Sequence, residues 1–126
     1  MTKAMRNPDA KHKDFGALIG IIPTNPRFLP SDIDMVYERN QCFLFAEWKR
    51  ASESFGGGQR ILLRKLAKQP RTVVLLIVGD TDNSMNVEKV FYINPSEPDP
   101  VLLGDGFETL KGAIIEWYEA ANKVGR

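Results

Sequence analysis

The chain has 126 residues, 43% of them apolar and 26% charged, which suits one globular domain over residues 1–126 with its own hydrophobic core. Seventeen Lys and Arg residues against 16 Asp and Glu residues give a net charge of +1, so any nucleic acid must bind to a local patch. One Cys excludes an internal disulfide framework, and one His excludes a multi-histidine metal site. No apolar run is long enough to span a membrane, and we expect a cytoplasmic protein.

The N-terminal quarter carries the weakest signals. Asn7, Pro8 and Asp9 predict the cap of a short helix over residues 11–18. Residues 18–22 form an apolar run that predicts a short strand, which Pro23 would end. A loop rich in proline would follow, leading to residue 30.

Two strands joined as a hairpin are predicted next, over residues 32–38 and 41–49, with the turn at Arg39 and Asn40. The apolar run 42–46 marks the second strand as buried.

Acidic residues lie at the open end of this hairpin. Side chains alternate faces along a strand, so Glu47 and Lys49 share one face, as do Asp32 and Asp34. Pairing of the strands would place an aspartate beside Glu47 and Lys49. The alternative is that these are turn residues and a surface ion pair.

The helix predicted over residues 59–68 follows three glycines and is amphipathic. Its apolar residues Ile61, Leu62 and Leu66 are expected in the core. A basic stripe recurs every four residues on another face, at Arg60, Arg64 and Lys68. The alternative for the stripe is a solvated face.

The C-terminal half predicts more of the sheet and a long helix. Residues 72–79 are a continuous β-branched run, typical of a strand covered on both faces. A strand nearer an edge is expected over residues 87–93, a loop over residues 94–106, and a helix over residues 107–123. This order indicates an α/β fold with a mixed central β-sheet flanked by helices.

Two carboxylates beside an ammonium suit metal-dependent phosphodiester hydrolysis. Mg²⁺ takes a few carboxylate oxygens and keeps several waters, and a bound water becomes acidic enough to attack phosphorus. A neighbouring Lys can stabilise the negative charge that develops.

These residues resemble the PD-(D/E)XK nuclease superfamily, especially its small phage-type members. The resemblance rests on Pro30, Ser31, Asp32 and Asp34, on the spacing to the segment 47–49, and on Gly58 followed by Gln59. It implies a restriction-endonuclease-like core.

The resemblance also implies roles for individual residues. Asp34 and Glu47 would hold Mg²⁺, for which Mn²⁺ would substitute, and Lys49 would orient the attacking water. Asp32 would assist as a further ligand, and Gln59 would assist in catalysis. The substrate would be DNA, with linear, branched and junction forms all open, and both endonuclease and exonuclease action fit these residues.

Three questions stay open at the level of sequence. The fold could instead serve as a DNA-binding or subunit-contact module without turnover. If DNA does not contact the basic stripe, it would approach from the side of Arg27 and Arg50. A homodimer is also possible, with an interface at Trp117 and Tyr118 or at a strand edge near Val90.

Overall fold

The computed structural model describes residues 15–52, 57–80 and 85–124. The chain forms two compact units, residues 1–32 and residues 33–126, which are described separately. None of the helices in the described ranges is long and apolar enough to cross a membrane.

The first unit contains turns in place of the expected strand. A short 3-10 helix covers Gly16–Leu18, and the rest of the helix predicted over residues 11–18 lies outside the described residues, apart from Phe15 before it. Residues 18–22 bend because the backbone N–H of Ile21 donates to Leu18 and that of Gly20, at φ 87°, donates to Pro26. The strand predicted there is wrong, since these bonds fold the segment back on itself.

The second unit is built on one five-stranded mixed sheet in the order β1-β2-β3-β4-β5. The strands are β1 (Met35–Arg39), β2 (Cys42–Lys49), β3 (Thr72–Asp80), β4 (Asn86–Tyr92) and β5 (Val101–Asp105). Only β2 and β3 are parallel neighbours, and helix α1 (Gly57–Ala67) connects them. Helix α2 (Gly106–Lys123) ends the fold. The mixed sheet and its two helices confirm the α/β class.

The predicted hairpin forms with its turn one residue later than expected. Asn40 and Gln41 both have positive φ, at 51° and 69°, which is the backbone of a type I′ turn and suits the twist of the two strands. The Asn40 side chain donates to the Ala121 carbonyl at 3.1 Å, and Arg39 Nε donates to Asn122 Oδ1 at 2.7 Å. The turn is therefore anchored to the last turn of α2, where the Ala121 carbonyl accepts both the Asn40 side chain and the Val124 backbone N–H.

Strand β3 lies at the centre of two hydrophobic clusters, one on each face of the sheet. Alternate residues enter the cluster beneath α2, such as Leu75 and Ile77, and the cluster beneath α1, such as Val74 and Leu76. All four side chains are at most 3% exposed. The prediction of a strand covered on both faces is confirmed.

The edge of the sheet that follows β4 differs from the expectation. Strand β5 lies in the region predicted as loop, and it pairs antiparallel with β4, so β4 is an inner strand. Val90 is fully buried there, which excludes it as an edge residue. Trp117 is 8% exposed in the cluster beneath α2, so it is a core residue, whereas Tyr118 is 45% exposed. A dimer interface at this pair stays a prediction.

Helix α1 turns a different face to the sheet from the one predicted. Leu63 and Ala67 are buried, whereas Ile61 is 58% exposed. The helix begins two residues earlier than predicted and ends one residue earlier. Its buried side chains lie along Leu63 and Ala67. Leu66 is partly buried against the same cluster, as expected.

Candidate functional site

Asp34 and Glu47 lie opposite each other at the open end of the hairpin. The register pairs Met35 with Ala46, and its continuation brings Asp34 to Glu47. The backbone N–H of Asp34 donates to Glu47 Oε1 at 3.3 Å, and the backbone N–H of Trp48 donates to Asp34 Oδ2 at 2.8 Å. Each carboxylate is thus fixed by a backbone donor of the other strand.

The face that these carboxylates occupy follows from alternation along β2. Leu44 and Ala46 are buried beneath α2, with Trp48 packed against the same cluster. Phe45 packs on the α1 side, and Glu47 and Lys49 follow it on that face. Glu47 and Lys49 are both half-buried, and the Lys49 ammonium donates to the Arg50 carbonyl at 3.2 Å.

The carboxyl ends of the two parallel strands meet at this edge of the sheet. Lys49 pairs in register with Val78, so Asp80 lies two residues further along β3 and on the same face. The sequence predicts a polar turn over residues 80–86, which begins at Asp80. An acidic residue at the end of a continuous apolar run could have indicated that Asp80 belongs to the site. Open α/β sheets bind ligands beyond the carboxyl ends of their strands.

Gln59 lies in the first turn of α1, and the structure gives it an unusual environment. Because β2, α1 and β3 form a parallel crossover, α1 begins near the edge at which β2 ends. The Gln59 Nε2 atom is buried and has no hydrogen-bond partner. A buried amide donor without an acceptor costs free energy, and an oxygen-bearing ligand that reached this nitrogen would remove that cost.

The first two arginines of the predicted basic stripe contact the loop between β4 and β5. Arg60 Nη2 donates to the Pro98 carbonyl and pairs with Asp99 at 3.0 Å. Arg64 donates to the Pro98 carbonyl at 3.3 Å and to the Pro95 carbonyl at 3.2 Å. These guanidinium groups thus hold a protein loop, and a role in DNA binding stays a prediction for them.

The remaining predicted residues lie apart from these contacts. Lys68 is exposed immediately after the last residue of α1, and Arg50 is exposed immediately after β2. Asp32 and Arg27 are exposed residues of the first unit.

The described ranges contain no group of three or more His, Cys, Asp and Glu side chains that could hold a metal ion. The hydrogen bonds at the open end of the hairpin join two acidic residues, Asp34 and Glu47. Comparison of the chain with protein-family models, with curated proteins and with solved structures found no match.

Proposed function

We propose that this chain is a metal-dependent nuclease that hydrolyses phosphodiester bonds in DNA. The observation that supports this most is the pairing of Asp34 with Glu47 across the hairpin, each held by a backbone N–H of the opposite strand. Two carboxylates fixed side by side repel each other unless a cation or a proton joins them.

The donor set suits Mg²⁺. This ion takes oxygen ligands, keeps several waters, and is usually bound through one or two carboxylates together with substrate phosphates. A carboxylate has about four lone-pair positions, and the bond from a backbone amide of the opposite strand uses one of them. Asp34 and Glu47 would hold the ion. When bound, the metal supplies charge neutralisation at the phosphate and a more acidic water.

The chain's own residues would orient the substrate and the water. Lys49 has a flexible stem, so its ammonium can turn from the Arg50 carbonyl towards the space beside Glu47. There it would position the attacking water and stabilise the charge developing on the phosphate. Gln59 would donate its buried Nε2 hydrogens to a phosphate oxygen or to that water.

The restriction-endonuclease-like core is part of the same proposal. The element order supports it, because the hairpin that carries Asp34 and Glu47 is followed by α1 and by a strand parallel to β2.

Cleavage of a substrate panel tests the proposal. Labelled duplex, single-stranded, nicked and four-way-junction DNA would be incubated with the protein in Mg²⁺, Mn²⁺ or EDTA. We expect metal-dependent cleavage of at least one substrate, reduced by about 10²-fold or more in Glu47→Gln. Glu88→Gln, an exposed residue of β4, is the matched control and should cleave normally. No cleavage by the wild type, or equal cleavage by Glu47→Gln, would overturn the proposal.

The alternative is a DNA-binding module without turnover. It is favoured by the contact of the Lys49 ammonium with a backbone carbonyl, which occupies one of its three donors. Lys49→Met separates the two functions: in a nuclease it should lower turnover by about 10²-fold while DNA affinity changes only a few-fold. Metal-independent DNA binding that also survives Glu47→Ala would favour the module.

A further inference from the structure

Three cationic side chains surround the C-terminal end of α1, at the end of the sheet away from the carboxylates. Lys65 lies in the last turn of α1, Lys68 follows the helix, and Arg71 immediately precedes β3. All three residues are exposed. We call this set the cationic corner.

The cationic corner differs from the arginines of the predicted stripe in having no anionic partner. Within the described residues, Arg60 and Arg64 are engaged with the β4–β5 loop, whereas the side chains of Lys65, Lys68 and Arg71 make no ion pair or hydrogen bond there. Their charge is therefore available to a ligand. A lysine or arginine side chain without an anionic partner can attract the phosphates of a nucleic-acid backbone.

An exposed aromatic ring lies next to this corner. Phe43 pairs in register with Thr72, and its backbone N–H donates to the Arg71 carbonyl at 2.8 Å. The ring stacks on Phe45 at 6.1 Å between centroids and is 37% exposed. An aromatic face beside cations is the pattern that binds single-stranded nucleic acid, because an unpaired base can stack on the ring.

The backbone at Arg71 gives a second indication. Its φ is 55°, in the left-handed region that glycine adopts freely and that costs other residues roughly 1–2 kcal/mol. A glycine would satisfy this turn at lower cost. The presence of a long cationic side chain at such a position points to a role for that side chain.

We propose that the cationic corner and Phe43 bind single-stranded nucleic acid. Phosphates would contact Lys65, Lys68 and Arg71, and a base would stack on Phe43. Phe43 precedes Glu47 by four residues on the same face of β2, which is about 13 Å at the rise of a strand. A single strand held here would lead to the carboxylates, so the substrate of the nuclease would carry an unpaired segment. That last step rests on the proposed function, whereas the binding does not.

Binding without cleavage is the direct test. Fluorescence anisotropy of a labelled 15-nucleotide oligo(dT) would be measured in EDTA over a series of salt concentrations. We expect Lys65→Gln/Lys68→Gln to lower affinity by about tenfold at moderate salt and to flatten the slope of log affinity against log salt by about 1.4, or 0.7 per contact. Phe43→Leu should lower affinity by about fivefold or more.

Matched variants separate charge from folding. Lys111→Gln/Lys123→Gln removes the same charge from α2, on the opposite face of the sheet, and should bind as the wild type does. Arg71→Gly should weaken binding while its melting temperature stays equal or rises, because the left-handed backbone is relieved. Gln41→Gly changes a second left-handed position without changing charge and should leave affinity unchanged.

One substitution should act in the opposite direction. Glu38 lies opposite Phe43 on β1 and accepts the Gln41 backbone N–H at 2.9 Å. Glu38→Gln keeps an acceptor but removes the negative charge from the residue that pairs with Phe43, so oligo(dT) affinity should rise a few-fold.

The outcomes distinguish this inference from the proposed nuclease. Absence of saturable oligo(dT) binding, or equal loss in the two double variants, would overturn it. Tighter binding of a 15-base-pair duplex with the same sensitivity to Lys65 and Lys68 would overturn the single-strand specificity and assign the corner to duplex DNA. Binding as expected without cleavage under any metal condition would leave the surface in place and overturn the nuclease.

Discussion

At the scale of single residues, Asp34 and Glu47 combine two properties that are hard to reconcile in a purely structural pair. Their hydrogen bonds to opposite backbone amides fix both carboxylates, which a strand end at the surface does not require. The same bonds hold two acidic side chains at one end of the hairpin, and like charges opposite each other on paired strands are destabilising. A cation bound between the two carboxylates would attract both of them and remove their mutual repulsion. The repulsion in the metal-free protein therefore favours metal binding.

The first prediction follows from that balance. Asp34→Asn keeps an oxygen to accept the Trp48 backbone N–H, so its fold should be preserved, and removal of one charge should leave its metal-free melting temperature equal or higher. About 10 mM Mg²⁺ should raise the melting temperature of the wild type by a few degrees by mass action, but not that of Asp34→Asn.

Differential scanning fluorimetry with and without Mg²⁺ measures this difference. Glu119→Gln, on the exposed side of α2, removes one charge elsewhere and should retain the wild-type response. Equal metal shifts in Asp34→Asn and the wild type would show that the carboxylate pair is not the metal site.

At the scale of elements, the end of β3 depends on glycine. Gly79 has φ 157°, and a Cβ at this position would overlap the Asn86 carbonyl oxygen of the neighbouring strand. The register of β3 and β4 shifts between Val78 and Gly79, so the close approach belongs to this irregularity. We expect Gly79→Ala to destabilise the protein by about 2 kcal/mol or more.

Urea denaturation measures this effect, and Gly112→Ala is the matched control. Gly112 is exposed within α2, and nothing lies within 4 Å of its hypothetical Cβ. Because alanine is the better helix former, this variant should gain about 0.5–1 kcal/mol. A similar effect of both substitutions would contradict the close contact between β3 and β4.

The β4–β5 loop is a second element whose structure depends on particular side chains. Pro95, Pro98 and Pro100 supply carbonyls but no N–H donors, which reduces the backbone hydrogen bonds that the loop can make with itself. Arg60 donates to the Pro98 carbonyl, and Arg64 donates to the Pro95 and Pro98 carbonyls. Arg64→Met, which keeps the apolar stem, should cost about 1 kcal/mol and speed amide exchange in residues 96–99.

Hydrogen exchange followed by mass spectrometry reports on that loop. Lys65→Met removes an exposed cation one residue away on α1 and should change stability by less than about 0.5 kcal/mol. Unaltered exchange of the loop in Arg64→Met would show that the prolines alone determine its conformation.

The same elements show what the sequence could and could not predict. The hairpin, β3 and α2 have strong local patterns, and all were predicted close to their observed bounds. β5 was missed because its apolar residues are surrounded by Pro and Gly, which locally favour loops. The partners of Arg60 and Arg64 lie more than 30 residues away, so helical periodicity could identify the stripe but not what it contacts.

At the scale of the whole second unit, we expect the protection of backbone amides against hydrogen exchange to decrease from the centre of the sheet to its edges. β3 pairs with strands on both sides and is covered on both faces, whereas β1 and β5 each have one neighbour. Amides of residues 74–77 should therefore exchange only through global unfolding, and those of residues 101–103 at least about 10²-fold faster through local opening.

The last prediction uses a stabilised variant to distinguish these two routes of exchange. Gly112→Ala changes the free energy of global unfolding through α2, which packs mainly against β4. The added stability should slow amide exchange of residues 74–77 by roughly the factor that corresponds to about 0.5–1 kcal/mol. Residues 101–103 should keep their wild-type exchange rates, because fraying of an edge strand does not require α2 to unfold. Native-state exchange read by NMR resolves the individual amides. If both groups slowed by the same factor, β5 would belong to the same cooperative unit as β3, and the five strands would open together.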